Sequence, residues 1–591
     1  MTEYMKIKSD ILVIGAGGAG FRAAIAAAES GLETVLVNKG KLGRSGATVM
    51  ADSDLTLDGA SLRELGFFGE PKDSKEKFFN DIVNQGFYLN NQVLVEKYVQ
   101  NAPDRIKELI DWGIKIESSE ERAIETPGAS ILDALYNKAK NTGVKFYENI
   151  MITDLLTYGN RVIGAFGLDL YSGEFLIFLS KAIIIATGGW HKAFDPNAGS
   201  RDLSGDGIAM AGRAGALLGN MEFITFAANC ALWPNHIKGS LFTYILHMIT
   251  KGPILNSGGE DILKKYDPYI IDKAVSSEWN KCVISQITFK EIMEGRGSEH
   301  NGVYLTLPKE TFDEMDEIIN GYFPNWKYRG GDFSELKSLL FNGRGIEVSP
   351  AAEYFEGGIY IDDNCKSTLD GLYAAGESAM SLFGANRVVA ATTEMLVTGY
   401  IAGISASNYA KTVKIIEPSE NQIMNIEKNL LGLLNSEGKY LPKDLLHEIK
   451  EKSFQYLGPI RNGEKIKEFL NFATQWKLKL KEIKLNSNRK EYNLDWIEAI
   501  EVKNIIELFE LSAISALNRT ESRGVHYRED FPYTDNINWL KEILISRSED
   551  NVNIIYNPIK ITKLKPENKI YPYWEMVSLL MKNHSEVTGG H

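Results

Sequence analysis

Between Asp10 and Gly31 an apolar run, Ile11-Leu-Val-Ile14, breaks into three glycines spaced G-x-G-x-x-G and then into the Ala-rich stretch Phe21–Glu29. Glycines in that pattern serve phosphate chemistry. Gly15 permits a tight turn, Gly17 lets backbone approach a pyrophosphate, and Gly20 lets a helix lie close on the preceding strand. Gly18 and Ala19 complete the loop. The helix that follows offers unpaired N–H groups and the positive end of its dipole to an anion. A second apolar run, Glu33–Asn38, ends where a dinucleotide-binding unit wants an acid for a ribose hydroxyl, and here stand Asn38 and Lys39. An amide still bonds a hydroxyl, so the change weakens NAD more than a buried, many-contact cofactor such as FAD.

Other glycine-bearing segments lie at or near the ends of apolar runs far along the chain: Ala186-Thr187-Gly188-Gly189, Ser204-Gly-Asp206-Gly207 and Ala375-Gly-Glu377. Each alone reads equally well as a strand-end turn. Together with the N-terminal loop they fit a long cofactor threaded across one sheet. Asp206 and Glu377 are acceptors beside close-approach glycines, suited to hydroxyls of a ribose and a ribityl chain.

The elements that must position these residues follow from periodicity. Lys181–Gly189 is a continuous apolar run ending at a glycine pair, the pattern of a strand covered on both faces. Thr157–Lys181 is hairpin-like, with turns at Tyr158-Gly-Asn and Tyr171-Ser-Gly, and Asn91–Trp112 is an amphipathic helix. Residues 221–350 lose the strand–helix alternation and are predicted to be an insertion. From about residue 418 the stretches Ile423–Leu434, Lys443–Leu457, Asn462–Lys484 and Asp495–Asn518 carry apolar residues at helical spacing.

The 591 residues suffice for several domains, and 44% hydrophobic and 24% charged content is ordinary for a soluble protein. A net charge of -13 argues against nucleic acid as a partner. No apolar stretch is long enough to span a bilayer, and the opening Met-Thr-Glu-Tyr-Met-Lys lacks the apolar core of a secretion signal, so the expected location is cytoplasmic. Three cysteines, Cys230, Cys282 and Cys365, and scattered histidines leave no spacing for a metal or an iron–sulfur cluster. Redox chemistry would need an organic cofactor.

Six segments carry a resemblance: Gly43-Arg-Ser45-Gly46-Ala-Thr48, Met221-Glu-Phe223, Glu294-Gly-Arg-Gly297 with Val303-Tyr-Leu305, Gly384-Ala-Asn-Arg387, and Glu521-Ser-Arg-Gly-Val-His526-Tyr-Arg528-Glu-Asp-Phe-Pro532. Through them most of the chain resembles the flavoprotein subunits of succinate dehydrogenases and fumarate reductases, and L-aspartate oxidase. The resemblance implies an α/β fold: a doubly wound, Rossmann-like FAD-binding domain (1–220 and 351–415), an inserted α+β capping domain (221–350) and a helical C-terminal domain (416–591). It implies hydride transfer between FAD and a carboxylate-bearing substrate. Family positions for the flavin fall on Ser45, Gly46, Thr48, Thr392 and Thr393 as well as the glycine segments above. Gly46 replaces the histidine that tethers FAD covalently in succinate dehydrogenases, so noncovalent FAD is expected.

The substrate side departs from the family. Arg387 matches the carboxylate-binding arginine. The histidine after Met-Glu-Phe is replaced by Ala227 or Ala228, and that of the Ala-His-Tyr motif by Glu353. The Thr-Glu loop is reduced to Thr250-Lys251-Gly252, and the proton-delivering arginine aligns with Lys281. Lysine is a point charge where arginine is a fork. An anion at Glu353 would repel a second substrate carboxylate. The catalytic set expected is therefore Arg387, Lys281, Glu353 and Thr250, acting on a molecule other than succinate or fumarate, with one carboxylate for Arg387 and a neutral or cationic group, such as an amine, facing Glu353. Electrons would pass to oxygen, a diffusible carrier or a separate iron–sulfur subunit. The alternatives are an L-aspartate oxidase-like enzyme, an adenylylsulfate reductase relative and a catalytically silent flavin subunit. His526 and Arg528 are expected to pack the helical region on the flavin domain.

Overall fold

The computed structural model describes residues 4–307, 311, 333–341, 343, 345–387, 391–548, 551–585 and 587. Part of the predicted insertion, 308–310 and 312–332, lies outside them. At the centre is a seven-stranded sheet. Its first strand, β1 (Met5–Ile14), is flanked in parallel by β2 (Thr34–Asn38) on one side and by Phe175–Ile185 on the other. The apolar runs Ile11–Ile14 and Ile183–Ile185 are almost wholly buried, as strands covered on both faces must be. The hairpin-like segment forms an antiparallel meander, Ile150–Tyr158, Arg161–Asp169 and Phe175–Ile185.

Register brings the distant glycine segments together. Ile14 lies opposite Ile185, and Ile185 lies opposite Ala374 of the short parallel strand Leu372–Ala374. The loops beginning at Gly15, Ala186 and Ala375 therefore leave neighbouring strands at one carboxyl edge, where α/β sheets bind ligands. Helix α1 (Gly18–Glu29) starts in that edge and packs on the helix Ala391–Ala410. The two approach to backbone contact: a Cβ on Gly399 or Gly403 would sit 2.6 Å from the carbonyl of Ala19 or Ala23.

The insertion contributes a second sheet in the order Ile224–Trp233, Ile346–Phe355, Val303–Leu305, Ile254–Leu255. Its long strand pair is irregular at one point that matters. Thr225 opposes Tyr354 and Phe226 opposes Ala352, which leaves Glu353 as the extra residue of a β-bulge. Bulges re-aim a side chain out of the ladder.

The C-terminal helices Glu420–Leu434, Pro442–Leu457, Gly463–Lys481 and Leu494–Asn518 lie close to where periodicity puts them. The hairpin Lys541–Ser548/Asn551–Pro558 was not anticipated. It pairs with Leu218–Gly219, more than 300 residues earlier, which in turn pairs with Gly358–Ile359. Among the described residues no helix is long and apolar enough to cross a membrane.

Candidate active site

A cavity of about 940 Å³ runs from the glycine loop to the inserted segment, large among ligand pockets of roughly 300–1,000 Å³. Its inner end is lined by Gly15, Gly17, Gly18, Ala19, Asn38, Lys39, Ser45, Gly46, Thr48, Ala186, Thr187, Gly188, Asp206, Glu377 and Thr392. The fit to a dinucleotide can be tested on the backbone. Gly15 has φ +104, and a Cβ there would lie 2.3 Å from the Ala186 carbonyl; on Gly20 it would lie 1.8 Å from the Gly15 carbonyl. On Gly17 the nearest atom would be Thr48 Oγ1 at 3.7 Å, so that position faces open space. The residue preceding α1, Gly17, offers no side-chain cap and the first turn carries no acid, which favours a phosphate at the helix's positive end. The buried Thr187 hydroxyl has no protein partner. These features fit FAD.

Several predicted residues reach the cavity in roles that only the structure assigns. Asn38 accepts from Ala16 N (3.1 Å) and donates to Gly40 O and Ser45 Oγ (2.9 and 3.0 Å), so its amide shapes the loop. Lys39 donates to Ser204 (2.6 Å), Asp206 (2.8 Å) and Glu501 (2.7 Å), the last on the helix Leu494–Asn518. Gly18 N donates to Thr48 Oγ1 at 3.3 Å. Glu377 accepts from Gly189 N (3.0 Å) and Phe355 N (3.3 Å); burial raises its pKa despite the nearby His191. Gly46 sits at φ +84 with nothing near its missing side chain. Thr393 is buried behind the cavity, accepting from Thr56 N at 2.8 Å, and does not line it.

At the outer end four charged side chains interlock. Arg387 donates from Nη2 to Glu353 Oε1 at 2.6 Å, and Lys281 Nζ is 3.2 Å from Glu353 Oε2. Lys281 also pairs with Glu278, whose Oε2 is 3.8 Å from Arg387. Glu278 and Lys281 share one face of the 3-10 turn Glu278–Lys281, where residues three apart eclipse. Tyr244 donates to Glu278 Oε1 (3.0 Å) and accepts from Asn280 (2.8 Å). The Arg387 guanidinium lies over the Tyr354 ring at 5.2 Å, and the Tyr354 hydroxyl donates to Glu394. Burial would raise the Glu353 carboxyl, but Arg387 and Lys281 outweigh it and hold Glu353 below its ordinary range. Burial pushes the neighbouring Glu356, which accepts from Thr225, up to about 8, so it is mostly uncharged at neutral pH.

Two expectations are corrected here. Glu353 does not offer an uncommitted anion to a substrate amine, because both of its oxygens already face cations. Thr250 is not brought to the site: it ends the helix Phe242–Thr250 with its hydroxyl donated to Leu246 O (2.7 Å), and Lys251 beside it pairs with Asp272 at the exposed surface. Lys281 does not itself line the cavity; it is wholly buried behind Glu278 and Glu353, which do. Sequence reading missed Glu278, Tyr244 and His191. Glu278 had a signal, an acid three residues before Lys281 in a Ser277-capped turn. His191 follows the Gly188-Gly189 pair closely, and its Nε2 lies 2.7 Å from the Glu353 carbonyl, which requires that nitrogen to carry the hydrogen.

Fold and site together define a flavoprotein whose FAD cavity opens beneath an inserted segment. The sequence pattern of the family described as "FAD binding domain" matches residues 10–392, and that described as "Fumarate reductase flavoprotein C-term" matches 447–571. The chain is 30% identical over 565 residues to one of the subunits of the CoM/CoB fumarate reductase of Methanothermobacter marburgensis, covering 91% of this chain and 97% of that protein. It is 28% identical to the succinate dehydrogenase flavoprotein subunit of Rickettsia bellii, covering 96% and 97%. The solved structure of Mycobacterium smegmatis Sdh1 superposes with a TM-score of 0.83 at 28% identity, covering 95% of this chain and 96% of that one. This chain belongs to the fumarate reductase/succinate dehydrogenase flavoprotein family, and it is an FAD-dependent oxidoreductase.

Proposed function

We propose that this protein holds FAD without a covalent bond and oxidises or reduces a small carboxylate-bearing molecule other than succinate or fumarate. The observation that carries this reading is Arg387 at the outer end of the cavity, with Glu353 and Glu278 in contact with it. When bound, FAD supplies two-electron chemistry at a carbon of the substrate. Arg387 gives one Nη2 hydrogen to Glu353; its other donors remain to orient a substrate carboxylate. Lys281, buried behind Glu278 and Glu353, reaches the cavity only through these two carboxylates, which would relay its proton. Gly46 supports the absence of a tether. The three cysteines are free and buried, so electrons leave the flavin for oxygen, a diffusible carrier or a cluster carried by a separate iron–sulfur subunit.

The test is anaerobic. The yellow, purified protein is mixed with a panel of saturated and unsaturated acids, and bleaching or reoxidation of the flavin is followed. Reaction with a single-carboxylate member, with flavin released free on denaturation, is the expected result. Turnover of succinate at the head of the panel would overturn the assignment.

A further inference from the structure

In the cavity's outer wall one carboxylate of the chain is held as a ligand's would be. Glu353 reaches Arg387 with one oxygen (2.6 Å) and Lys281 with the other (3.2 Å), bridging two cations. The backbone is built for this: Glu353 is the extra residue of the bulge opposite Thr225 and Phe226, and its carbonyl is fixed by His191. Among the described residues lining the cavity, no other buried cation is without a carboxylate partner. Lys281 is fully buried and the Arg387 side chain is 13% exposed, while Lys39 and Lys238 in the same cavity have carboxylate partners of their own and Arg201 faces solvent. Glu278 completes a set of two acids and two bases.

We propose that Glu353 is a resident carboxylate: it fills, from within the chain, an anion subsite made by Arg387 and Lys281, and so confines the substrate to one carboxylate. This rests on the reading of Arg387 as the substrate's clamp. A monoanion uses the donors of Arg387 that Glu353 leaves. The second carboxylate of a dianion meets Glu353 and Glu278 with no unpaired buried cation among the described residues to answer it, and buried like charges repel strongly. Glu353 is therefore a specificity-determining residue, and its removal should open a two-carboxylate site.

The probes are acetate and malonate, which cannot be dehydrogenated between adjacent carbons, titrated calorimetrically into the full-length protein with its flavin bound. The same titrations are made on Glu353→Gln, which keeps volume, and on Glu353→Ala. Wild-type protein is expected to bind malonate no better than acetate. Both variants should gain at least about tenfold in malonate affinity, with a smaller change for acetate, since removing a buried like charge is worth a kilocalorie or more. Malonate bound equally by wild type and folded variants overturns the proposal. Should the variants not fold, the wild-type titrations alone decide, and malonate bound more tightly than acetate overturns it. If the variants gain malonate while no acid bleaches the wild-type flavin, the resident carboxylate stands and the assigned turnover falls. If a monocarboxylate is turned over but the variants gain nothing, the reverse holds.

Discussion

Lys39 and Glu501 show how far a single side chain can tie this molecule together. Glu501 accepts from Lys39 (2.7 Å) and from Lys192 (2.6 Å); burial would raise its carboxyl, but the two lysines hold it down to about 2. A carboxyl lowered in the fold contributes stability above its unfolded value near 4.5, and that contribution is lost as pH falls from there toward 2. Glu501→Gln is expected to destabilise the protein by roughly 3 kcal/mol at pH 7, the order of breaking a buried pair. Urea midpoints across pH should show wild type and variant converging below about pH 4.5. A constant gap down to pH 2 would rule this account out. Arg387→Lys is the matching test at the cavity's other end. It keeps the charge but loses the fork, and should lower kcat/KM by about a hundredfold, the order of a charged hydrogen-bond set, with FAD still bound.

At the scale of elements, the loop between β1 and α1 separates two jobs that glycine does. Gly20→Ala would drive a methyl to 1.8 Å from the Gly15 carbonyl, so α1 must shift off the sheet and the phosphate cradle with it. That variant is expected both to melt lower and to emerge from gel filtration with little flavin. Gly17→Ala meets no atom closer than 3.7 Å and costs the fold only tenths of a kilocalorie, yet its methyl stands where the phosphates must come. It should fold like wild type and bind FAD at least about tenfold more weakly by fluorescence titration, an order set by steric loss of phosphate contacts. Wild-type flavin content in both variants would mean that this loop does not cradle the cofactor. The stretches read as strand, phosphate loop and helix were legible here because their local period and glycine spacing carry the signal. The bulge at Glu353 was not, because it exists only by comparison with a strand more than 120 residues earlier.

The whole molecule is locked by buried charge. Arg519 donates to Glu222 and Glu521, and Arg523 to Glu521, all four side chains wholly buried, joining the end of the helix Leu494–Asn518 to the start of the inserted segment. Arg461 and His526 meet at 3.1 Å in the same zone, and Arg528 donates to the Ala516 carbonyl at 2.7 Å. His526 and Arg528 thus bond within the C-terminal region rather than across to the flavin domain, where they were expected to pack. Removing one member of such a set leaves an uncompensated buried ion. Arg519→Met should therefore cost about 3–5 kcal/mol in urea unfolding, and adding Glu222→Gln should restore part of it. Additive losses in the double variant would show that the two do not act as a pair.

The sequence by itself determined the parts whose signal is local. These are the glycine loop, the buried strands, the C-terminal helices, the family and hence FAD, and the substitutions at Gly46, Glu353 and Lys281 that set this chain apart. Tertiary structure decided how charges balance. That Glu353 is answered by Arg387 and Lys281, that Glu278 joins them, that Thr250 points into its own helix, and that Lys39 clasps Glu501 all depend on contacts that only the folded chain makes. The physical reason is range. Backbone preference and burial period act over a few residues, whereas the state of a buried charge is set by whichever opposite charge the fold brings within about 4 Å of it.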